Sequence, residues 1–114
     1  MENFIHVRGD TLAFGIQIEG CTQDLDTAFF SVKKDLDDTE YILQVQLGDG
    51  ITKVGSDTGS VYYTVRVAPE LTDSLEPGRY YYDVEVGLNG DYFTVLRGIL
   101  TVLQDVTRRD SDYA

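Results

Sequence analysis

Cysteine occurs once, at Cys21, so no intrachain disulfide can form. One thiol fits a reducing compartment, or a secreted protein that does without bridges. Cys21 lies between Gly20 and Thr22 after an apolar run, with no base beside it in sequence, and reads as a buried or loop thiol. Tryptophan is absent and histidine occurs once, at His6. Every His-based triad, metal site or general base therefore depends on one residue. Lacking an indicated partner, His6 reads as a surface histidine on an edge strand. No run approaches the ~18 consecutive apolar residues of a membrane span. The opening Met1-Glu2-Asn3 is not a basic region leading into a hydrophobic stretch, so no signal peptide is expected. The expected setting is cytoplasmic synthesis as a soluble protein.

Positive charge is also scarce: 9 Lys and Arg stand against 20 Asp and Glu, a formal net of −11. Nucleic acid and anionic membrane would both repel such a chain. The 114 residues suit one domain, and 42% hydrophobic content is too high for an acidic disordered chain.

What is present is alternation at period two, the signal of half-buried strands. Leu12, Phe14, Ile16 and Ile18 alternate with small or polar neighbours. The same holds for Ala28, Phe30 and Val32, for Tyr41 to Leu47, for Val61 to Val67 and for Tyr80 to Val86. Tyr92 to Leu103 is the longest run. It sets Leu96, Leu100 and Val102 on one face and Val95, Ile99 and Leu103 on the other. Phe4, Ile5 and Val7 make a short opening strand.

Turn chemistry separates the runs. Gly9 permits a turn between the first two strands, Gly48-Asp49-Gly50 reads as a tight reversal, and Asn89-Gly90 fits a type I′ hairpin. Pro69 and Pro77 fall at strand margins. Pro69 to Leu75 allows one helical turn, capped by Thr72 or Asp73. The pattern predicts an all-β sandwich of about seven or eight antiparallel strands. The domain spans 1–107, and 108–114 form a polar, frayed tail.

No nucleophile elbow, phosphate-cradling loop or paired-carboxylate cleft is indicated, so the chain is not read as an enzyme. Asp35, Asp37 and Asp38 are weak calcium candidates, without the loop spacing of a calcium-binding hand. No cofactor is expected. Arg8-Gly9-Asp10 spells the integrin-recognition tripeptide, but it sits in a short connection before a core strand and reads as a turn.

Tyrosine is the distinctive residue, with eight copies. In Tyr62-Tyr63 and Tyr80-Tyr81-Tyr82, alternation sends Tyr62 and Tyr81 outward. With Val95, Ile99 and Leu103 they form a candidate interface patch. Tyr80, entering its strand after Pro77-Gly78, is placed to bond back across a Greek-key corner.

The order Arg8-Gly9-Asp10-Thr11, Phe14-x-Ile16-x-Ile18, Asp24-Leu25, Lys33, Gly50-Ile51 opens a familiar series. It continues with Leu75-x-Pro77-Gly78-x-Tyr80-x-Tyr82-Asp83-Val84, Thr94-x-x-x-Gly98-x-x-x-Val102 and Asp105-Val106-Thr107. From Val7 to Thr107 this resembles the immunoglobulin-like N-terminal domain of upper-baseplate and related tail proteins of tailed phages, and of prophage proteins of Gram-positive bacteria. The resemblance implies an immunoglobulin-like Greek-key sandwich. Gly9, Asp10, Pro77, Gly78, Tyr80 and Gly98 would be its structural positions. It also implies a structural virion role, assembled in the bacterial cytoplasm, with other virion proteins or copies of itself as partners. In the baseplate proteins a helical linker and receptor-carrying region follow. This sequence stops soon after Thr107, so a short protein of tail, connector or capsid decoration is expected. The alternative is a calcium- or carbohydrate-binding adhesion module using Tyr62, Tyr81 and the acidic loop.

Overall fold

Period-two alternation becomes strands wherever the apolar set can face a second layer. The computed structural model describes residues 2–107; the tail expected over 108–114 lies outside the described residues. Eight strands and one helical turn follow in chain order. They are β1 (Phe4–Val7), β2 (Leu12–Glu19), β3 (Thr27–Lys33), β4 (Leu43–Leu47) and β5 (Gly50–Ser56). Then come β6 (Ser60–Val67), α1 (Pro69–Thr72), β7 (Gly78–Leu88) and β8 (Asp91–Leu103).

Hydrogen-bonded neighbours run β1-β8-β7-β3-β4-β5-β6-β2. The two ends of this order meet, because the Phe4 ring of β1 lies 5.1 Å from the Phe14 ring of β2. The sheet is therefore folded into two facing layers, β1-β8-β7-β3-β4 and β5-β6-β2. Most ladders are antiparallel, but β1 pairs with β8, and β4 with β5, in parallel. This is the strand arrangement of an immunoglobulin-like sandwich, with the chain crossing between layers at β1–β2, β2–β3, β4–β5 and β6–β7.

The connection at Gly48–Gly50 differs from the expected reversal. It sets β5 parallel to β4 over only Gln46–Gly50 and Leu47–Ile51, as a step from one layer to the other. Gly50 has φ of 109°, and a Cβ there would lie 2.7 Å from the Val45 Cβ. Only glycine satisfies both constraints. Asn89 and Gly90 both take positive φ, as a type I′ turn requires.

The centre of the sandwich is aromatic. Phe14 of β2 meets Phe30 of β3 at 5.5 Å, Phe30 meets Tyr82 of β7 at 5.7 Å, and Tyr82 meets Phe4 at 5.2 Å. Phe30 is fully buried. Antibody domains join the corresponding strands with a disulfide packed on a tryptophan. Here rings link the layers instead. At the β6–β7 corner the Tyr80 hydroxyl donates to the Glu76 carbonyl at 2.7 Å. Tyr63 of β6 accepts from the Leu25 N–H at 2.9 Å, tying the β2–β3 crossover to the opposite layer.

Of the two residues expected as a cap, Asp73 is the C-cap of the helical turn, and the N-cap is Ala68, without a side-chain bond. Thr72 is fully buried, and its hydroxyl donates to the Asp10 carbonyl at 2.6 Å. His6 is also buried rather than on the surface. Its Nε2 lies 2.9 Å from the same Asp10 carbonyl, which can only accept, so Nε2 carries the proton. One carbonyl thus fastens β1, the following turn and α1 together. Gly98 of β8 leaves room for the Glu2 carbonyl, which a Cβ would overlap.

Phe30→Ala is expected to cost about 3–5 kcal/mol in urea or thermal unfolding. Tyr80→Phe should cost about 1 kcal/mol, the net worth of one hydrogen bond. A Phe30→Ala loss no larger than that of Tyr80→Phe would show that the rings do not hold the layers.

Candidate functional site

The outward residues of β7 are Arg79, Tyr81, Asp83 and Glu85. Strand register sets a row across the layer at each of the last three. Tyr81 stands between Lys33 of β3 and Ile99 of β8, and Asp83 between Ser31 and Arg97. Glu85 stands between Phe29 and Thr94. Gln44 of β4 extends the second row, its amide donating to the Ser31 hydroxyl at 2.9 Å. Leu36 and Tyr41, from the β3–β4 connection, rise beside these rows. Together they enclose an open groove of about 680 Å³ on the outer face.

The groove is charge-balanced on an acidic chain. Lys33 and Arg97 offset Asp83 and Glu85. The Lys33 ammonium sits 5.4 Å from the centre of the Tyr41 ring, within cation–π range. Asp83 is half-buried, and desolvation raises its carboxyl above the ordinary value of 3.8, against the opposing pull of Arg97 and Lys33. Tyr81 is 38% exposed and Leu36 60% exposed. Exposed aromatic and apolar side chains thus stand here among paired opposite charges.

The structure divides the five residues expected to form one patch. Tyr81 and Ile99 are direct cross-strand partners in the groove. Leu103 lies further along the same face of β8, beside the exposed Val7 of β1. Val95 stands at the irregularity between the Val84–Leu96 and Glu85–Thr94 pairs and does not line the groove. Tyr62 is in the other layer, on β6, and its hydroxyl donates to Asp57 at 2.6 Å. That bond is the main reason the Asp57 carboxyl is lowered and the Tyr62 phenol raised. The single patch is therefore corrected to a groove around Tyr81 and Ile99, with Tyr62 excluded.

The sequence reading missed Phe29, Tyr41 and Arg97. The outward alternation of β3 and β8 was visible, but which residues become neighbours depends on strand register.

Other candidates are accounted for locally. Asp38 turns back on its own loop, its carboxylate accepting from the Asp35 N–H at 3.1 Å. Among the described residues no three His, Cys, Asp or Glu are grouped to hold a metal ion. Cys21 Sγ points to the Gln23 carbonyl at 3.3 Å. Arg8 of the Arg8-Gly9-Asp10 turn is bound to Asp105 Oδ1 through Nε at 3.0 Å and Nη2 at 2.8 Å, and both side chains are largely buried.

The Asp83 shift has a definite sign. Its folded-state pKa is raised, so the folded form holds its proton more tightly, and stability falls as pH rises from 3.8 through the folded pKa. Asp83→Asn should therefore be more stable than wild type at neutral pH and equal to it below pH 3.8. Thermal melts across that range check this. A variant less stable at pH 7 would show that the carboxylate is held by a favourable interaction.

No family model matches the sequence, and neither does any curated protein. Among solved structures the chain is similar to the extracellular domain of a voltage-gated sodium channel β4 subunit, at 15% identity and a TM-score of 0.43. That alignment covers 92% of each chain, and the domain is described as forming parallel homodimers that explain its role in cell–cell adhesion.

Proposed function

We propose that this chain is a non-enzymatic docking domain of a phage or prophage particle. It seats the outer face of the β1-β8-β7-β3-β4 layer on a neighbouring virion protein. The observation that carries docking is the groove around Tyr81 and Ile99. It is aromatic and charge-balanced, on a chain whose net charge is −11. Buried aromatic anchors supply most interface energy, and opposed charges around them set register. Acidic loops elsewhere disfavour contact through other surfaces. The sequence resemblance to baseplate and tail domains supplies the virion setting.

The reading is tested by mass spectrometry of purified particles carrying wild-type or variant chain. The wild-type chain is expected in the particle. Ile99→Asp and Tyr81→Arg should lower incorporation at least tenfold, about 1.4 kcal/mol of docking energy, with melting temperatures unchanged. Tyr62→Arg should incorporate normally. Absence of the chain from particles, or normal incorporation of Ile99→Asp, overturns the reading.

A further inference from the structure

We infer that the free edge of β2 is a second interaction surface, on which two copies of this chain pair antiparallel about a two-fold axis. Among the described residues β2 is bonded to β6 alone and ends the strand order. The Gly20 N–H donates to the Gly59 carbonyl at 2.7 Å, one step beyond the Glu19–Ser60 pair. Antiparallel ladders alternate bonded and open pairs. Leu12, Phe14, Ile16 and Ile18 therefore bond to β6. Ala13, Gly15, Gln17 and Glu19 direct their N–H and C=O groups to the free edge. Edge strands are ordinarily guarded by lysine, proline or a bulge. β2, with sequence LAFGIQIE and an unbroken register, has none of these.

The occupant is a second copy because β2 complements itself. Place the axis so that Ile16 faces its own counterpart. Phe14 then faces Ile18 of the partner subunit, and both residues are inward-facing yet only partly covered within one copy. Ala13 then faces Glu19 of the partner subunit. Arg66 of β6 lies beside Ala13, is exposed, and makes no ion pair among the described residues. Its side chain reaches over the small Ala13 to that carboxylate, and symmetry repeats the contact. Within one copy Arg66 and Glu19 stand six residue steps apart along the ladder, roughly 20 Å at strand spacing. Only a second copy brings them together. Glu19 is also the one charge on the strand, so this edge lets two copies of an acidic chain approach.

Analytical ultracentrifugation tests this. The wild-type chain should form a dimer at concentrations of roughly a millimolar or below. Gln17→Pro removes an outward donor, which an edge strand tolerates, and should be monomeric with its melting transition retained. Glu19→Arg alone should weaken the dimer roughly tenfold, and Glu19→Arg with Arg66→Glu should restore it, whether or not Gln17→Pro folds. Ile99→Asp should dimerise normally, which separates this edge from the groove. A monomeric wild type, a folded Gln17→Pro that still dimerises, or a charge swap that does not restore pairing each overturns the inference.

Discussion

Everything in this domain depends on the contact between its two layers at the rings of Phe4, Phe14, Phe30 and Tyr82. Among the described residues, strands of the two layers pair in the hydrogen-bonding direction only at the two residue pairs of the β4–β5 step. Side-chain packing must therefore hold them face to face. A single cysteine rules out the covalent cross-link that antibody domains place there. Four rings give more apolar area than a disulfide, and their tilted and edge-on pairings add about 0.5–1.5 kcal/mol each beyond burial. With the core secured by rings, the outer faces carry no packing duty and are free to differ from each other.

Much of this was legible in the sequence because period-two alternation is a local property. Buried Tyr63, Tyr80 and Tyr82 and outward Tyr62 and Tyr81 follow from parity along one strand. So does the Asn89-Gly90 turn from its residue types. The resemblance to baseplate domains and the alternation agree on an immunoglobulin-like sandwich. What was not legible depends on how strands are brought together. Tyr62 and Tyr81 are both outward, but outward from opposite layers, and parity cannot distinguish those cases. The burial of His6 depends on the Asp10 carbonyl, which Thr72 reaches from 62 positions away. The Gly48–Gly50 step has reversal chemistry, and only the layer change reveals it as parallel. Arg97 joined the site through register: an unbroken hairpin from Leu88–Asp91 would set Leu96 opposite Asp83, and the irregularity at Val95 sets Arg97 there instead.

The acidic balance acquires a spatial meaning. In the groove on the outer face of the larger layer, Lys33 and Arg97 stand against Asp83 and Glu85, beside the exposed Tyr81 and Tyr41. The β2 edge is likewise nearly uncharged. The remaining carboxylates, in the β3–β4 loop and at other turns, oppose contact elsewhere. On the proposed docking and pairing, charge would select which surfaces meet, and apolar area and backbone hydrogen bonds would supply the attraction.

Hydroxyl-radical footprinting of the free chain against the chain in the particle proposed for it tests the docking face most directly. Tyr81, Tyr41 and Ile99 should lose labelling on assembly, while Tyr92 and Tyr62 keep it. Unchanged labelling of Tyr81 and Ile99, with protection at Tyr62, would place the interface on the opposite layer and contradict the account.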